Sequence, residues 1–560
     1  MDKVNSGISR RSFLWMVGMA GGASAVYETM VAMGLLQGSE AWAGPPRFKA
    51  AQGNGQSVVI LGAGIGGLTA AYELTRAGYR CTILEAQNRP GGRSLTIRRG
   101  EKIVEQSERH GRTEQTCQFD EGLYLNMGPG RLPYHHRRVL HYCHELGVPL
   151  EIYVMTSTAN LIQTPQGFAG RALKRRQLDA DSRGYIAELL TKAIDQQCLD
   201  QTLDESDRDK MRELLKVFGD LNDSGRYSGS TRAGCAQPPT VHQPCASPQP
   251  LELNELLDSE FWRQHFYQPD DFEWQPTLFQ PVGGMDQIVS HFVRALTTMY
   301  NGASPILLQH EITRIEVAEK GVIVHYHDRA NDQPGRMSAD YCLSNIPLPI
   351  LNRIKANFSP DFQDAVAHAR FAPTCKVGWQ ANERFWENNQ NQIYGGISYI
   401  DQIMTQMWYP SNDYFTRNGT LTGAYNYDEA AVAMGEMSLD QRLRSAREGA
   451  IRLHQEFRDE RIVPTKLGLS IAWQNVPFQG GGWSDWTDTP ADRRAYARLL
   501  APDRRFHVLG DQVSTLPGWQ EGAMMSAEHV VEQLGGFRPL SVPQIERAPH
   551  TQRLVRGRFR

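Results

Sequence analysis

The hydrophobic pattern near the start of the chain predicts a βαβ unit. Residues 57–64, SVVILGAG, are a short apolar run rich in β-branched side chains, which is typical of a buried parallel strand. Residues 65–78 then have helical spacing and end on Gly78, a suitable helix C-cap. Residues 79–86 have the pattern of a second strand, which completes the unit.

The middle of the chain has a mixed pattern. We predict a helix within 135–147, and residues 170–265 are polar and favour helix, apart from an exposed loop at 234–250 where Pro and Ser are dense. Residues 279–296 predict a turn followed by an amphipathic helix. In residues 311–328, apolar and polar side chains alternate on both sides of a turn, which predicts a hairpin.

The last third returns to strands and ends with a helix. Residues 375–386 and 419–427 have the pattern of antiparallel strands, and 505–511 form an apolar strand ending in Gly-Asp. A turn and a helix are predicted over 517–534, and no structure beyond about residue 540. A chain of 560 residues is long enough for two or more domains. The order of its elements indicates two domains interleaved along the chain rather than placed in series.

The turn after the first strand carries a phosphate-binding pattern. Gly62, Gly64 and Gly67 form G-x-G-x-x-G between a strand and a helix, so free N–H groups at the helix N-terminus would face a pyrophosphate. Glu85 ends the second strand, where a carboxylate accepts hydrogen bonds from ribose hydroxyls and repels a 2′-phosphate. The motif therefore predicts FAD or NAD and disfavours NADP.

Charge and hydropathy exclude two classes of partner. The formal net charge is −3, so no global basic field points to nucleic acid, and we expect the basic run at 171–176 to be a solvated helix face. No segment after the N-terminal region is apolar enough to span a bilayer, so no stable membrane anchor is expected.

The eight cysteines show neither a CxxC pair nor a metal-like spacing with histidine, so we expect no metal site. Cys235 and Cys245 lie in the Pro-rich loop and could pair in an oxidising compartment. Unpaired thiols are nevertheless the expectation here.

The N-terminus resembles a twin-arginine export signal. Two adjacent arginines, Arg10 and Arg11, precede a moderately apolar run, and AWAG at 41–44 has the small-x-small pattern of a signal-peptidase site. The alternative is a basic helix that is retained. The signal implies transport by the twin-arginine machinery, a mature protein starting near Gly44, and a periplasmic or secreted location.

The residues after Glu85 separate FAD from NAD. Gly91, Gly92 and Arg93 form a second flexible, cationic turn that could reach the pyrophosphate. With this acid followed by GGR, the chain resembles the flavin amine oxidases, which implies FAD as cofactor.

Further stretches resemble the L-amino-acid oxidase branch of that family. In LNMGPGRLPYHHRRV, residues 125–139, Arg131 matches the arginine that clamps the substrate α-carboxylate, a suitable role for a bidentate guanidinium. Tyr425 in GAYNY matches the tyrosine that hydrogen-bonds the same carboxylate, with a core tyrosine as the alternative. Lys376 matches the lysine that holds a water near flavin N5.

The block GDQVSTLPGWQEG, starting at Gly510, resembles the C-terminal signature of the family. The resemblance implies that Asp511 holds the ribityl and pyrophosphate region of FAD and that Trp519 forms one wall of the substrate pocket. The Gly518 carbonyl would accept from the substrate amine. Trp473 either helps to close the site or is a buried tryptophan without such a role.

By this resemblance, the residues expected to contact FAD come from every part of the chain: Gly62, Gly64, Gly66, Gly67, Glu85, Ala86, Gly92, Arg93, Gly128, Pro129, Gly130, Arg131, Ile312, Gly510, Asp511, Gly518, Trp519 and Gln520. The implied fold is α/β, with a Rossmann-type FAD-binding domain interleaved with an α+β substrate domain and a helical insertion. We expect a homodimer. The expected domain boundaries are a signal at 1–43, FAD-binding parts at 56–135, 276–346 and 476–540, substrate or helical parts at 136–275 and 347–475, and a tail at 541–560.

The implied reaction is oxidative deamination of an L-amino acid with O2, giving a 2-oxo acid, ammonia and hydrogen peroxide. The alternatives are an L-amino-acid 2-monooxygenase, a quinone-linked dehydrogenase and an exported flavin-binding scaffold. Acidic stretches at Asp485 and Asp488, or at Asp270, Asp271 and Glu273, could pair with a basic substrate, but we expect solvated loops there. Basic or bulky L-amino acids, such as arginine, are the favoured substrates.

Overall fold

The computed structural model describes residues 52–197 and 203–535, together with residues 42, 44–46 and 48. The predicted tail at 541–560 and nearly all of the predicted signal at 1–43 lie outside the described residues. The predicted domain divisions stay a prediction.

A parallel five-stranded sheet holds the glycine turn. Its strands come from the start, the middle and the end of the chain, in the spatial order Ile306–Leu307, Arg80–Leu84, Ser57–Leu61, Tyr341–Ser344 and Phe506–Val508. The central strand is buried from Val58 to Leu61, which explains its continuous apolar sequence. The fold is α/β and Rossmann-type, as predicted.

Two helices from opposite ends of the chain share one core against this sheet. Ile65–Arg76 follows the glycine turn, Gln520–Leu534 is the last described helix, and apolar side chains from both belong to one buried cluster. The first predicted helix and the last one therefore meet, although more than 440 residues separate them in sequence.

The other main sheet is largely antiparallel and seven-stranded. Its strands, in spatial order, are Leu173–Lys174, Leu161–Gln163, Ile397–Ile400, Gln406–Trp408, Gly419–Tyr427, Thr374–Ala381 and Gly468–Ala472. The predicted strand at 375–386 ends earlier, at Ala381. All eight residues of Thr374–Ala381 are buried, so Lys376 is carried into the interior.

Smaller sheets complete the β structure. The predicted hairpin is present as His310–Ala318 and Gly321–Asp328, within a four-stranded sheet that also contains Gln333–Ala339 and Lys355–Ala356. The remaining strands are Leu132–Pro133, Leu278–Pro281 and Leu150–Tyr153 in one sheet, and the pairs Thr96–Arg98 with Tyr124–Asn126, Lys102–Ser107 with Gly111–Thr116, and Phe371–Ala372 with Trp483–Ser484.

The other α-helices lie mostly in the middle of the chain: Arg137–Leu146, Arg175–Asp195, Glu205–Gly219, Leu253–Asp258, Gln287–Met299, Leu348–Leu351, Pro360–His368, Asp428–Gly435, Leu439–Leu453 and Pro490–Leu499. Among the helices that the structure describes, none has the length and apolarity needed to cross a membrane.

The expectation of unpaired thiols at Cys235 and Cys245 is wrong, because these residues form a disulfide. The loop reverses direction between them, where Ala236 N–H donates to the Ala246 carbonyl at 2.9 Å. This places their Cα atoms 5.2 Å apart, within the range that a disulfide spans. The loop has no helix or strand over 234–250, as predicted.

Candidate active site

A cavity of about 1140 Å³ runs from the glycine turn to the seven-stranded sheet. Two of the predicted site residues, Gly67 and Gly510, do not line it. The others do: Gly62, Gly64, Gly66, Glu85, Ala86, Gly92, Arg93, Gly128, Pro129, Gly130, Arg131, Ile312, Lys376, Tyr425, Trp473, Asp511, Gly518, Trp519 and Gln520. Residues separated by hundreds of positions thus share one cavity.

Gly67 and Gly510 lie in tightly packed surroundings. A Cβ on Gly67 would lie 2.1 Å from the Gly62 carbonyl oxygen, so a larger residue would push the helix off the turn. A Cβ on Gly510 would lie 2.7 Å from Asn345 Oδ1, and Gly510 has a φ of +108°.

The glycine turn is held by Glu85. The Ala63 N–H donates to one carboxylate oxygen and the Gln87 N–H donates to the other, both at 2.8 Å. Burial raises the pKa of Glu85, whereas these hydrogen bonds oppose the rise. Each oxygen keeps acceptor capacity for a ribose hydroxyl, because a carboxylate accepts about four hydrogen bonds.

Asn345 was missed by the sequence reasoning. It follows the strand Tyr341–Ser344 and packs against the turn, where its Nδ2 would lie 2.7 Å from a Cβ on Gly64. A larger residue at Gly64 would therefore displace the Asn345 amide group.

The second cationic turn is joined to the C-terminal block. Arg93 Nη1 donates to Asp511 Oδ2 at 3.1 Å, and the same oxygen accepts the Gly518 N–H at 2.8 Å. Gln520 Nε2 donates to Ser94 Oγ at 2.9 Å, while its buried Oε1 has no partner among the described residues. The glycine cradle, the cationic turn and this buried unpartnered acceptor fit a dinucleotide lying along this end of the cavity.

Arg131 is a buried cation surrounded by aromatic rings. Its guanidinium carbon lies 3.7 Å from the ring centre of Trp274, 4.9 Å from that of Trp408 and 5.1 Å from that of Trp519. Within the described part of the chain, its Nε has no hydrogen-bond partner and its guanidinium forms no ion pair. Burial lowers the pKa of Arg131 to about 10, which still leaves it cationic at neutral pH. An anionic ligand would supply the missing partner.

Tyr425 and Trp408 complete this end of the cavity. Their rings meet edge to face with centres 5.2 Å apart, and Tyr425 lies near enough to Arg131 for the guanidinium charge to oppose the rise in the tyrosine pKa. Burial raises the pKa of Tyr425 to about 12, so its hydroxyl is a hydrogen-bond donor at neutral pH. Trp408 and Trp274 were missed, because no motif distinguishes them from core tryptophans.

Lys376 is nearly inaccessible, with 4% of its surface exposed. Its Nζ donates to the Gly128 carbonyl at 2.5 Å and to the Asn126 carbonyl at 3.3 Å. Burial, with a smaller contribution from the charge of Arg131, lowers the pKa of Lys376 to about 7. The lysine is therefore an ammonium or an amine depending on small changes near neutral pH.

Trp473 is buried and lines the cavity, and its indole Nε1 donates to the Met127 carbonyl at 3.0 Å. This hydrogen bond fixes the backbone just before Gly128, so Trp473 supports the segment that also receives Lys376.

A solvated loop was expected for the acidic stretch that contains Glu273, but Glu273 does not face bulk solvent in this way. It lines the cavity, and one of its oxygens accepts from His136 Nε2 at 2.9 Å and from His135 Nε2 at 3.1 Å. Burial alone would raise the pKa of Glu273, but the two histidines lower it overall. Asp270, Asp271, Asp485 and Asp488 do not line the cavity.

Within the described ranges, the one group of three side chains close enough to hold a metal ion consists of His135, His136 and Glu273. The two imidazole donations to one carboxylate oxygen account for the group without an ion.

Comparison with known proteins agrees with this geometry. Residues 65–534 match the family model described as flavin containing amine oxidoreductase. The chain is 23% identical to a putative L-amino-acid oxidase, YobN, of Bacillus subtilis, over 85% of this chain and 94% of that protein. It is 24% identical to the flavin-dependent L-tryptophan oxidase RebO of Lentzea aerocolonigenes, with 84% and 96% covered.

Solved structures share the fold. Putrescine oxidase bound to putrescine superposes with a TM-score of 0.54 at 17% identity, covering 87% of this chain and 99% of that one. Cyclohexylamine oxidase from Brevibacterium oxydans gives 0.52 at 15% identity, with 86% and 99% covered.

Proposed function

The chain belongs to the flavin containing amine oxidoreductase family, and from this premise we propose that it is an L-amino-acid oxidase. The prediction of FAD as cofactor is confirmed by this membership. The residues of the glycine turn, Glu85 and the Arg93–Asp511 pair would hold it.

The observation that carries the proposal is Arg131. A buried guanidinium with an unpartnered Nε and no carboxylate partner among the described residues is costly unless the ligand brings an anion. An amino acid brings an α-carboxylate whose two oxygens match the guanidinium fork. A simple amine or diamine brings none, so the buried arginine favours amino acids over substrates such as putrescine.

The side chains around Arg131 would orient the substrate. Tyr425 would donate its hydroxyl proton to the same carboxylate, and Trp519 and Trp408 would confine the substrate and exclude water. With the carboxylate held at two points, the α-carbon has a restricted set of positions, which converts a bimolecular encounter into an oriented one. The Gly518 carbonyl would accept a proton of the substrate amine.

FAD, when bound, supplies the hydride acceptor, and its reoxidation by O2 yields hydrogen peroxide. The overall balance is L-amino acid plus O2 plus water giving 2-oxo acid, ammonia and hydrogen peroxide. Lys376 would donate to the Gly128 and Asn126 carbonyls and order a water at this end of the cavity.

The test is anaerobic mixing of the FAD enzyme with L-amino acids, D-amino acids, putrescine and cyclohexylamine. We expect bleaching of the flavin absorbance by L-amino acids alone. Bleaching by the amines and not by amino acids would overturn the proposal. Under air, equal yields of peroxide and 2-oxo acid support the oxidase. An amide product would instead indicate a monooxygenase, and quinone-dependent turnover without peroxide a dehydrogenase.

We also propose that the protein is exported by the twin-arginine machinery and acts as a homodimer in the periplasm or outside the cell. The Cys235–Cys245 disulfide supports an oxidising location, because such bonds persist there. Cell fractionation of the natural protein and of a variant with Arg10→Lys and Arg11→Lys tests export. Light scattering tests the dimer.

A further inference from the structure

Four carboxylates line the cavity, and Glu273 differs from the other three. Glu85 accepts two backbone N–H groups, Asp511 pairs with Arg93, and Glu311 has the guanidinium of Arg329 at 3.6 Å. Among the described residues, no arginine or lysine lies within ion-pair distance of Glu273, although its charge stabilises the Arg131 cation from further away. Only its Oε2 accepts hydrogen bonds. The other oxygen of this carboxylate keeps its acceptor capacity.

The second oxygen of Glu273 therefore lacks a partner in a partly buried position. The side chain is 15% exposed and lines the same cavity as Arg131. A carboxylate oxygen with free lone pairs at the cavity wall can accept a charge-assisted hydrogen bond from a cation that enters the cavity.

Trp519 and Trp274 connect the two charged groups. The Trp519 ring lies 5.1 Å from the Arg131 guanidinium carbon and meets the His136 ring edge to face at 4.8 Å. His136 in turn donates to Glu273. Trp274 stacks on Arg131 and follows Glu273 directly in the chain. The cavity thus has a cation at one point, an anion at another, and tryptophan rings beside both.

We propose that Glu273 selects L-amino acids with a cationic side chain, of the arginine, lysine and ornithine class, by pairing with the side-chain cation while Arg131 binds the α-carboxylate. This inference rests on the proposed amino-acid oxidase function. The methylene groups of such a substrate would lie along the ring of Trp519. A neutral side chain of the same length would give the carboxylate only neutral donors, whose hydrogen bonds are weaker than charge-assisted ones, and this disfavours that substrate.

L-arginine and L-citrulline make a matched pair, since they have the same length and shape but only arginine is charged. We expect kcat/KM for L-arginine to exceed that for L-citrulline by about 10- to 100-fold, the range expected for a charge-assisted hydrogen bond. Glu273→Gln still accepts from both imidazoles, so the cluster is retained. It should lower kcat/KM for L-arginine by about 10- to 100-fold and leave the value for L-citrulline within about threefold.

The control variant is Asp271→Asn, which removes the same charge two residues away on an exposed side chain that does not line the cavity. It should leave the preference for arginine unchanged, and an unchanged flavin spectrum verifies the fold of each variant. Equal kcat/KM values for arginine and citrulline in the natural enzyme, or equal losses for both in Glu273→Gln, would overturn the inference while leaving the oxidase function standing. Failure of every L-amino acid to reduce the flavin would overturn both.

Discussion

Arg93 and Asp511 are 418 residues apart in sequence, yet Arg93 Nη1 donates to Asp511 Oδ2 at 3.1 Å. The pair joins the GGR turn to the C-terminal block at the cavity wall. Because Asp511 also accepts the Gly518 N–H, one carboxylate positions both the cofactor end of the cavity and the turn before Trp519.

Asp511→Asn should therefore weaken FAD retention. It removes the charge that Arg93 faces and leaves that guanidinium partly buried without a carboxylate, a cost of about 2–3 kcal/mol. Flavin absorbance retained after gel filtration measures the loss, which we expect to be tenfold or more in FAD dissociation constant. Glu114→Gln, which breaks the exposed Lys102–Glu114 pair, should retain FAD normally. Equal retention in both variants would contradict this role.

Arg131→Lys should reduce kcat/KM for L-amino acids by about 100- to 1000-fold while FAD stays bound. Lysine keeps the charge but loses the planar fork that holds both carboxylate oxygens and stacks on Trp274. Steady-state oxygen consumption measures the change, and the flavin spectrum verifies cofactor content. Arg137→Lys, an exposed neighbour outside the cavity, is the control and should behave like the natural enzyme.

Lys376→Met should change how stability depends on pH between about 7 and 10.5. In this window the unfolded chain carries the lysine proton and the folded protein does not, because burial lowers the folded pKa to about 7. The free energy of unfolding of the natural protein therefore rises with pH across the window. The variant loses this rise, so its stability relative to the natural protein should be highest near pH 7. Denaturant unfolding at several pH values measures the difference, and parallel pH curves would contradict it.

His454 should contribute to acid sensitivity. Burial lowers its pKa to about 3, and its Nε2 lies 2.6 Å from the Tyr409 hydroxyl. Between about pH 6.5 and 3 the unfolded chain binds a proton that the folded protein excludes, so stability falls as pH falls through this window. His454→Gln should make the thermal midpoint less dependent on pH there. His242→Gln, which changes an exposed histidine, should leave the dependence unaltered.

The Cys235–Cys245 disulfide should be found by peptide mapping under non-reducing conditions. It closes a loop with a sequence separation of 10, and its loss should cost up to about 3 kcal/mol through loop entropy. Because the loop lies outside the cavity, Cys235→Ser should keep kcat/KM and show increased proteolysis within 234–250. Detection of both cysteines as free thiols in protein purified without reductant would contradict the pairing.

Local patterns were enough to predict the elements of the fold and many residues that line the cavity. The strand at 57–61, the glycine turn and the helix after it are determined by neighbours in sequence, since backbone conformation and hydrophobic periodicity act over a few residues. Arg131 and Lys376 were selected by the segments around them, and both lie in the cavity.

Only the tertiary structure decided which distant groups meet. Trp274 and Trp408 become partners of Arg131, Asn345 packs against the glycine turn, and Glu273 faces the cavity because separate strands and turns converge there. The sequence alone offers no signal for such meetings, because a tryptophan or a glutamate has the same local pattern in a core, on a surface or in a binding site. The cysteine pair was likewise decided by a chain reversal that the composition of a Pro-rich loop does not specify.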